Sequence, residues 1–191
     1  MLSTNIEANR REYERLASDP NYTNVEFNPK TGALRATHKG HNTQNSDKSR
    51  TFFGNMKPFD LELECQELLY QWGHSAILRD EFVNTKSKQP PSLDLEVDGK
   101  IMDISSITQY GNYGNSIMAK NSQLGNVKRK TGLISDCVCL HFHLNDMFSE
   151  EKLLKAIEWY KSKVIEYGST KRINHIYVVV KGAPDLKIYN I

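Results

Sequence analysis

The chain has 191 residues, 38% of them hydrophobic, enough to bury one sizeable core. Its 25 Lys and Arg against 23 Asp and Glu leave a formal charge of +2, so charge alone does not mark it as a nucleic-acid binder. No apolar run approaches the ~20 residues of a membrane span, and the stretch from Met1 to Ser18 is charged throughout. The sequence is therefore expected to lack a span and a signal peptide, and to act in the cytoplasm, its own or that of a target cell into which it is delivered.

Residues from about Thr4 to Ala17 carry Ile6, Tyr13 and Leu16 as an apolar stripe, which predicts a short helix stopped at Asp19-Pro20. Val25 to Phe27 and Ala33 to Thr37 flank a Pro-Gly turn and predict a hairpin, followed by a polar loop from His38 to Arg50. These first 50 residues are expected to precede an α/β domain over residues 51–191, a mixed central sheet flanked by helices. Leu61, Cys65, Leu68, Leu69 and Trp72 recur at helical spacing before Gly73. A strand from His74 to Leu78 and a polar loop from Glu81 to Pro91 come next. Asp98-Gly99 then separates two alternating runs, Leu93 to Val97 and Ile101 to Ile104, a strong hairpin signal.

Further on, a basic helix is expected over about Ser116 to Lys130 and a strand over Val138 to Leu144. A long helix starts near Ser149 with Leu153, Leu154, Ile157, Tyr160, Val164 and Ile165 inward and ends at Gly168. Ile176 to Val180 predicts a buried strand, and Leu186 to Tyr189 an edge.

Charge is unevenly distributed. No acid occurs between Asn28 and Ser46, where Lys30, Arg35, His38, Lys39 and His41 lie, nor between Ile104 and Ser135, which holds Lys120, Lys128, Arg129 and Lys130. Arg35, His38, Lys39, His41, Lys120, Arg129 and Lys130 are accordingly candidates to face a nucleic-acid backbone. Cys65, Cys137 and Cys139 form no CxxC pair and read as buried reduced thiols. His141 and His143 share one strand face, where a structural role is expected rather than metal ligation.

The hairpin carries the chemistry. Residues symmetric about Asp98-Gly99 face each other, which sets Asp94 opposite Asp103. Two like charges so placed repel unless a cation sits between them. Hard oxygen ligands suit Mg²⁺ or Mn²⁺, with Zn²⁺ as the alternative divalent ion.

The segment Ser92-Leu93-Asp94-Leu95-Glu96-Val97-Asp98-Gly99-Lys100-Ile101-Met102-Asp103 resembles the "PDFxIDGKxFD" segment of the C-terminal tRNase toxin domains of contact-dependent growth inhibition (CdiA) proteins, which have a PD-(D/E)XK-related nuclease fold. Upstream, Glu62 with Cys65, Leu69 and Gly73 resembles the acid-bearing helix that precedes the hairpin in these nucleases. Downstream, Lys128, Gly132, Val138 and Leu140 resemble the "K-x-x-x-G-Q" run and the strand after it. The resemblance spans roughly Glu62 to Leu144 and implies a metal-dependent bacterial ribonuclease toxin cleaving tRNA, with a cognate immunity protein as partner. It implies metal binding by Asp94 and Asp103, a helix acid at Glu62 in competition with Glu64 and Glu67, and a catalytic lysine at Lys128, with Lys120 as the fallback. Ser105 stands where the E-x-K signature has its lysine, and Leu133 where the family has Gln. A DNA endonuclease and a catalytically silent nucleic-acid or partner-binding module are the competing expectations. Gly32 to Asn42 also resembles a "GGLKATHxxHN" motif of bacterial mobile-element and toxin proteins. There a structural or phosphate-contacting role is expected for His38 and His41.

Overall fold

A computed structural model describes residues 6–41, 51–80 and 92–191. The loop from Glu81 to Pro91 and most of the polar stretch after His38 lie outside the described residues. The elements, in chain order, are α1 (Ile6–Ser18), β1 (Tyr22–Phe27), β2 (Leu34–His38), α2 (Pro58–Gln71), β3 (Ala76–Leu78), β4 (Leu95–Val97), β5 (Lys100–Ser106), α3 (Tyr113–Thr131), β6 (Cys137–Phe142), α4 (Glu150–Glu166), β7 (His175–Val180) and β8 (Lys187–Asn190). The strands form one mixed sheet in chain order, β1 to β8. The pairs β2–β3, β5–β6 and β6–β7 are parallel and the remainder antiparallel. Each parallel pair is bridged by a helix, as parallel neighbours require. The N-terminal hairpin joins the same sheet, because β2 pairs with β3.

Alternation along the strands assigns the helices to the two faces. Cys65 and Leu69 of α2 pack on Met102, Ile104, Cys137, Cys139 and Val179. On the other face, Ile117, Leu124 and Val127 of α3 and Leu153, Ile157 and Tyr160 of α4 pack on Val138, Leu140, Phe142, Ile176 and Val178. Because Met102 and Ile104 point at α2, Asp103 between them points at α3.

Local signals explain where the elements begin and end. Pro58 opens α2, the Asp60 carboxylate accepts from the Lys57 N–H, and Gly73 closes the segment at φ 93°. Ser149 caps α4, its hydroxyl accepting from the Lys152 N–H. Asp98 and Gly99, at φ 48° and 80°, form the two-residue turn between β4 and β5. Two positions on α4 correct the sequence reading. Leu154 and Ile165 are 49% and 80% exposed, because each lies about 100° around the helix from its buried neighbour, beyond the stripe that meets the sheet. The three thiols are free and buried, as expected, with Cys65 Sγ 3.8 Å from Cys139 Sγ.

Candidate active site

The β4–β5 register pairs Leu95 with Met102 and Val97 with Lys100. One step further along that register, Asp94 lies opposite Asp103. Asp94 is half-buried and accepts a hydrogen bond from the Ser92 hydroxyl at 2.7 Å. Asp103 is wholly buried. Lys120 reaches it from α3, its Nζ 2.7 Å from Oδ2. This is a contact of charges without hydrogen-bond alignment, since both Asp103 oxygens are buried with no hydrogen-bond partner.

Glu62, in the first turns of α2, completes the group. Its Oε2 lies 2.8 Å from His41 Nε2, and His41 Nδ1 donates to the Arg79 carbonyl at 2.8 Å. The Glu62 charge is felt at Lys120, and that of Asp94 at Glu62, His41, Asp103 and Lys120. Glu62 from α2, Asp94 from just before β4 and Asp103 from β5 thus act together on Lys120, and Glu62 and Asp94 on His41.

Burial and company shift these groups in opposite senses. Burial pushes the Asp103 carboxyl well above its ordinary range, and Asp94 adds to the rise while Lys120 opposes it. Burial would lower Lys120, yet Asp103, Asp94 and Glu62 together raise it. Lys120 keeps its charge, because three carboxyls hold it; the rise at Asp103 reports the cost of an anion buried beside Asp94. Burial likewise would lower His41, but Glu62 and Asp94 more than reverse this and bring it to about 9. Burial raises Glu62, and His41 offsets part of that rise. His41 is therefore an imidazolium donating from both nitrogens.

Of the expected site residues, Glu62, Asp94 and Asp103 are brought together. Lys128 is not. It lies exposed near the C-terminal end of α3, two turns beyond Lys120 and about 12 Å further along the helix axis. Lys120, the fallback, is the lysine that reaches the acids. It does so largely from inside the protein, with its side chain 17% exposed. Arg35 is paired with Glu26 at 2.9 Å and with Glu67 and is laid over the Tyr70 ring. That pairing takes Glu67 out of contention as the helix acid. His41 is buried in the site. His38 stacks edge-on against Tyr22, and its Nδ1 accepts from the Gly40 N–H at 3.0 Å. Lys39, Arg129 and Lys130 remain exposed.

Glu64, about 200° around α2 from Glu62, serves another cluster. Its carboxylate meets His143 Nδ1 at 2.7 Å, Lys181 Nζ at 2.6 Å and His141 Nε2 at 3.2 Å, tying α2 to the ends of β6 and β7. Ser106 donates to His141 Nδ1 at 2.9 Å. Burial would raise Glu64, but hydrogen bonds from His141, Lys181 and His143 outweigh it and hold the carboxyl at about 2. The stability this contributes is present above the ordinary Glu pKa, near 4.5, and is lost as pH falls through about 2. Glu64→Gln is expected to cost about 2 kcal/mol at pH 7 and nothing near pH 2, as read by urea denaturation at both pH values. An equal loss at both would refute the pairing.

For a divalent metal, Asp94 and Asp103 supply hard carboxylate oxygens, and the buried Asp103 oxygens without hydrogen bonds match a cation ligand in chemistry. No group of three or more His, Cys, Asp or Glu side chains among the described residues is arranged to hold a metal. Protein ligation would thus rest on two carboxylates, a donor set that suits Mg²⁺ or Mn²⁺ completed by water and phosphate oxygens, and not Zn²⁺. No described helix is long and apolar enough to cross a membrane. Comparison with protein-family models, with curated proteins and with solved structures finds no match for this chain.

Proposed function

We propose that the chain is a metal-dependent nuclease of PD-(D/E)XK type, a toxin-like ribonuclease whose substrate is tRNA. One observation carries the reading: Lys120 from the helix after the hairpin stands 2.7 Å from the buried Asp103, with Asp94 of the hairpin and Glu62 of the helix before it within electrostatic reach of that lysine. The order of helix acid, hairpin acids and lysine before a strand follows the resemblance, with the lysine supplied eight residues earlier than the motif implies.

Asp94 and Asp103 would hold Mg²⁺ or Mn²⁺, which supplies Lewis-acid polarisation of the phosphoryl group and a bound water of lowered pKa. Asp103, fixed between Met102 and Ile104, gives the cluster a rigid anchor on the sheet. Lys120 stabilises the negative charge that grows on the phosphoryl oxygens, in a setting where burial strengthens it. Glu62, held by His41, accepts a proton from the attacking water or from the ribose 2′-hydroxyl.

The Lys120–Asp103 contact also favours a second reading, in which the cluster is a closed ion-pair network and the protein binds nucleic acid without cutting it. Incubation with total tRNA and with plasmid DNA, with Mg²⁺, Mn²⁺ or EDTA, separates these. Metal-dependent tRNA cleavage is the expected result; cleavage of DNA alone makes the protein a DNA endonuclease, and no cleavage favours the binding module. Lys120→Met is expected to lower kcat by about 10²–10³-fold, the scale of one lost transition-state donor, while Lys128→Ala leaves kcat unchanged. The reverse result would return the catalytic role to Lys128.

A further inference from the structure

A second site lies away from the acids. The C-terminal half of α3 and the segment between α4 and β7 border a cleft of about 690 Å³. Lys128 and Arg129 line one side and Lys171 and Arg172 the other. Its single acid, Asp136, is already engaged by the Asn174 amide at 3.0 Å and the Cys137 thiol at 3.3 Å. Neutral donors, Ser122 and Thr170 among them, complete the wall, and Ile134 is the lone exposed apolar side chain in it. Four cations with hydroxyl donors beside them match a phosphodiester backbone.

The cleft is also pre-shaped. Arg172 is anchored at its backbone, whose N–H donates to Asn121 Oδ1 at 2.8 Å, and its guanidinium donates to the Thr170 carbonyl at 3.0 Å. Asn121 is in turn held by the Tyr160 hydroxyl at 2.7 Å. The guanidinium then lies flat on Gly125, where a β-carbon would stand 2.8 Å from Cζ. Glycine in the middle of a helix costs about 1 kcal/mol relative to alanine. Here it leaves room for a positioned cation. Lys171 points to the Ile191 carbonyl, and Arg129 to Asn126 Oδ1 at 3.0 Å, with other guanidinium donors remaining.

We propose that this cleft binds phosphates of an RNA chain beyond the bond that is cut, an inference that rests on the nuclease reading for the identity of its ligand. Helix α3 carries both sites as one rigid rod. Lys120 and Lys128 are about 12 Å apart along it, a few nucleotides of strand at roughly 3.4 Å each. Substrates too short to reach the cleft lose its contribution.

The test reads binding without cleavage: fluorescence anisotropy of a labelled single-stranded RNA of about 20 nucleotides, and of DNA of the same sequence, in EDTA over a KCl series. Lys128→Ala and Arg172→Ala are each expected to reduce the slope of log affinity against log salt by about 0.7, the single-strand value for one phosphate contact. Gly125→Ala removes no charge and favours the helix, yet by displacing the Arg172 guanidinium it is expected to weaken RNA binding about as much as Arg172→Ala does, with no fall in Tm. Unchanged affinity and slope in all three variants overturn the proposal. So does an effect confined to DNA, or competition by polyglutamate and not by RNA. Cleavage of tRNA with unchanged slopes removes the cleft alone; altered slopes without cleavage under any metal condition remove the nuclease reading and leave the cleft.

Discussion

Asp103→Asn is expected to abolish cleavage, by at least about 10³-fold, equivalent to the loss of some 4 kcal/mol of transition-state stabilisation, while the fold stays intact. The two halves of this expectation come from the same environment. Asp103 is a wholly buried carboxyl whose ionisation is opposed by burial and by Asp94. Replacing it with a neutral isostere removes an anion that the fold strains to keep. Lys120 retains Asp94 and Glu62 nearby, so its charge is not abandoned. In EDTA the variant should match the wild type in stability or exceed it by about 1 kcal/mol, the scale of one cross-strand pair. Mg²⁺ or Mn²⁺ should raise the wild-type Tm and do much less for the variant, because a ligand stabilises only the state that binds it. Thermal unfolding with EDTA and with each metal, beside the tRNA assay, reads both halves. Full activity in Asp103→Asn would falsify the site.

The largest effect on stability is expected at His41. Its imidazolium is buried between the Glu62 carboxylate and the Arg79 carbonyl, so His41→Ala at pH 7 leaves Glu62 as a buried acid without its partner. Breaking one side of a buried pair costs about 3 kcal/mol. The pH dependence fixes the cause. His41 titrates at about 9 in the folded protein, above the ordinary value of 6.5, so its contribution is complete below 6.5 and disappears as pH rises through 9. Burial of the Glu62 charge works against folding, which makes the net effect of the pair smaller than the His41 shift alone suggests. Urea denaturation from pH 6 to pH 10 should therefore show the gap between wild type and variant narrowing from about pH 6.5 and levelling off once pH has passed about 9. A gap constant across that range would mean that His41 acts by packing, for instance against Phe59, and not by charge.

Some of this was legible in the sequence and some was not, and the division has physical causes. The hairpin and the opposition of Asp94 and Asp103 are local facts, set by a two-residue turn and the period of a strand, so Asp98-Gly99 suffices to read them. Glu62 could be preferred to Glu67 from helix phase, because Glu67 lies on the far side of the apolar stripe. Lys120 could not be separated from Lys128 in that way. By phase both fall near the stripe of Ile117, Leu124 and Val127, and only the place where α3 crosses the sheet decides which is covered. That is a tertiary fact. Nor could a sequence reading know that Lys120 would stand against Asp103, that His41 would fold back onto Glu62 across 21 positions, or that Lys128 and Arg172 would border one cleft. A run without acids, such as the one around Arg35, also says nothing of acids supplied from elsewhere, here Glu26 and Glu67.

The chain-order arrangement of the eight strands bears on how the protein reaches its folded form. Every strand lies beside the one that precedes it in the chain, so no pairing has to wait for a distant segment. The entropy of closing each loop depends only on the residues between neighbours and grows slowly with their number. Low sequence separation between partners speeds folding. A chain emerging from one end, from a ribosome or through a narrow passage, can thus add its strands one after another to a growing edge. The acid cluster is completed when α3 arrives after β5, before the last three strands are laid down.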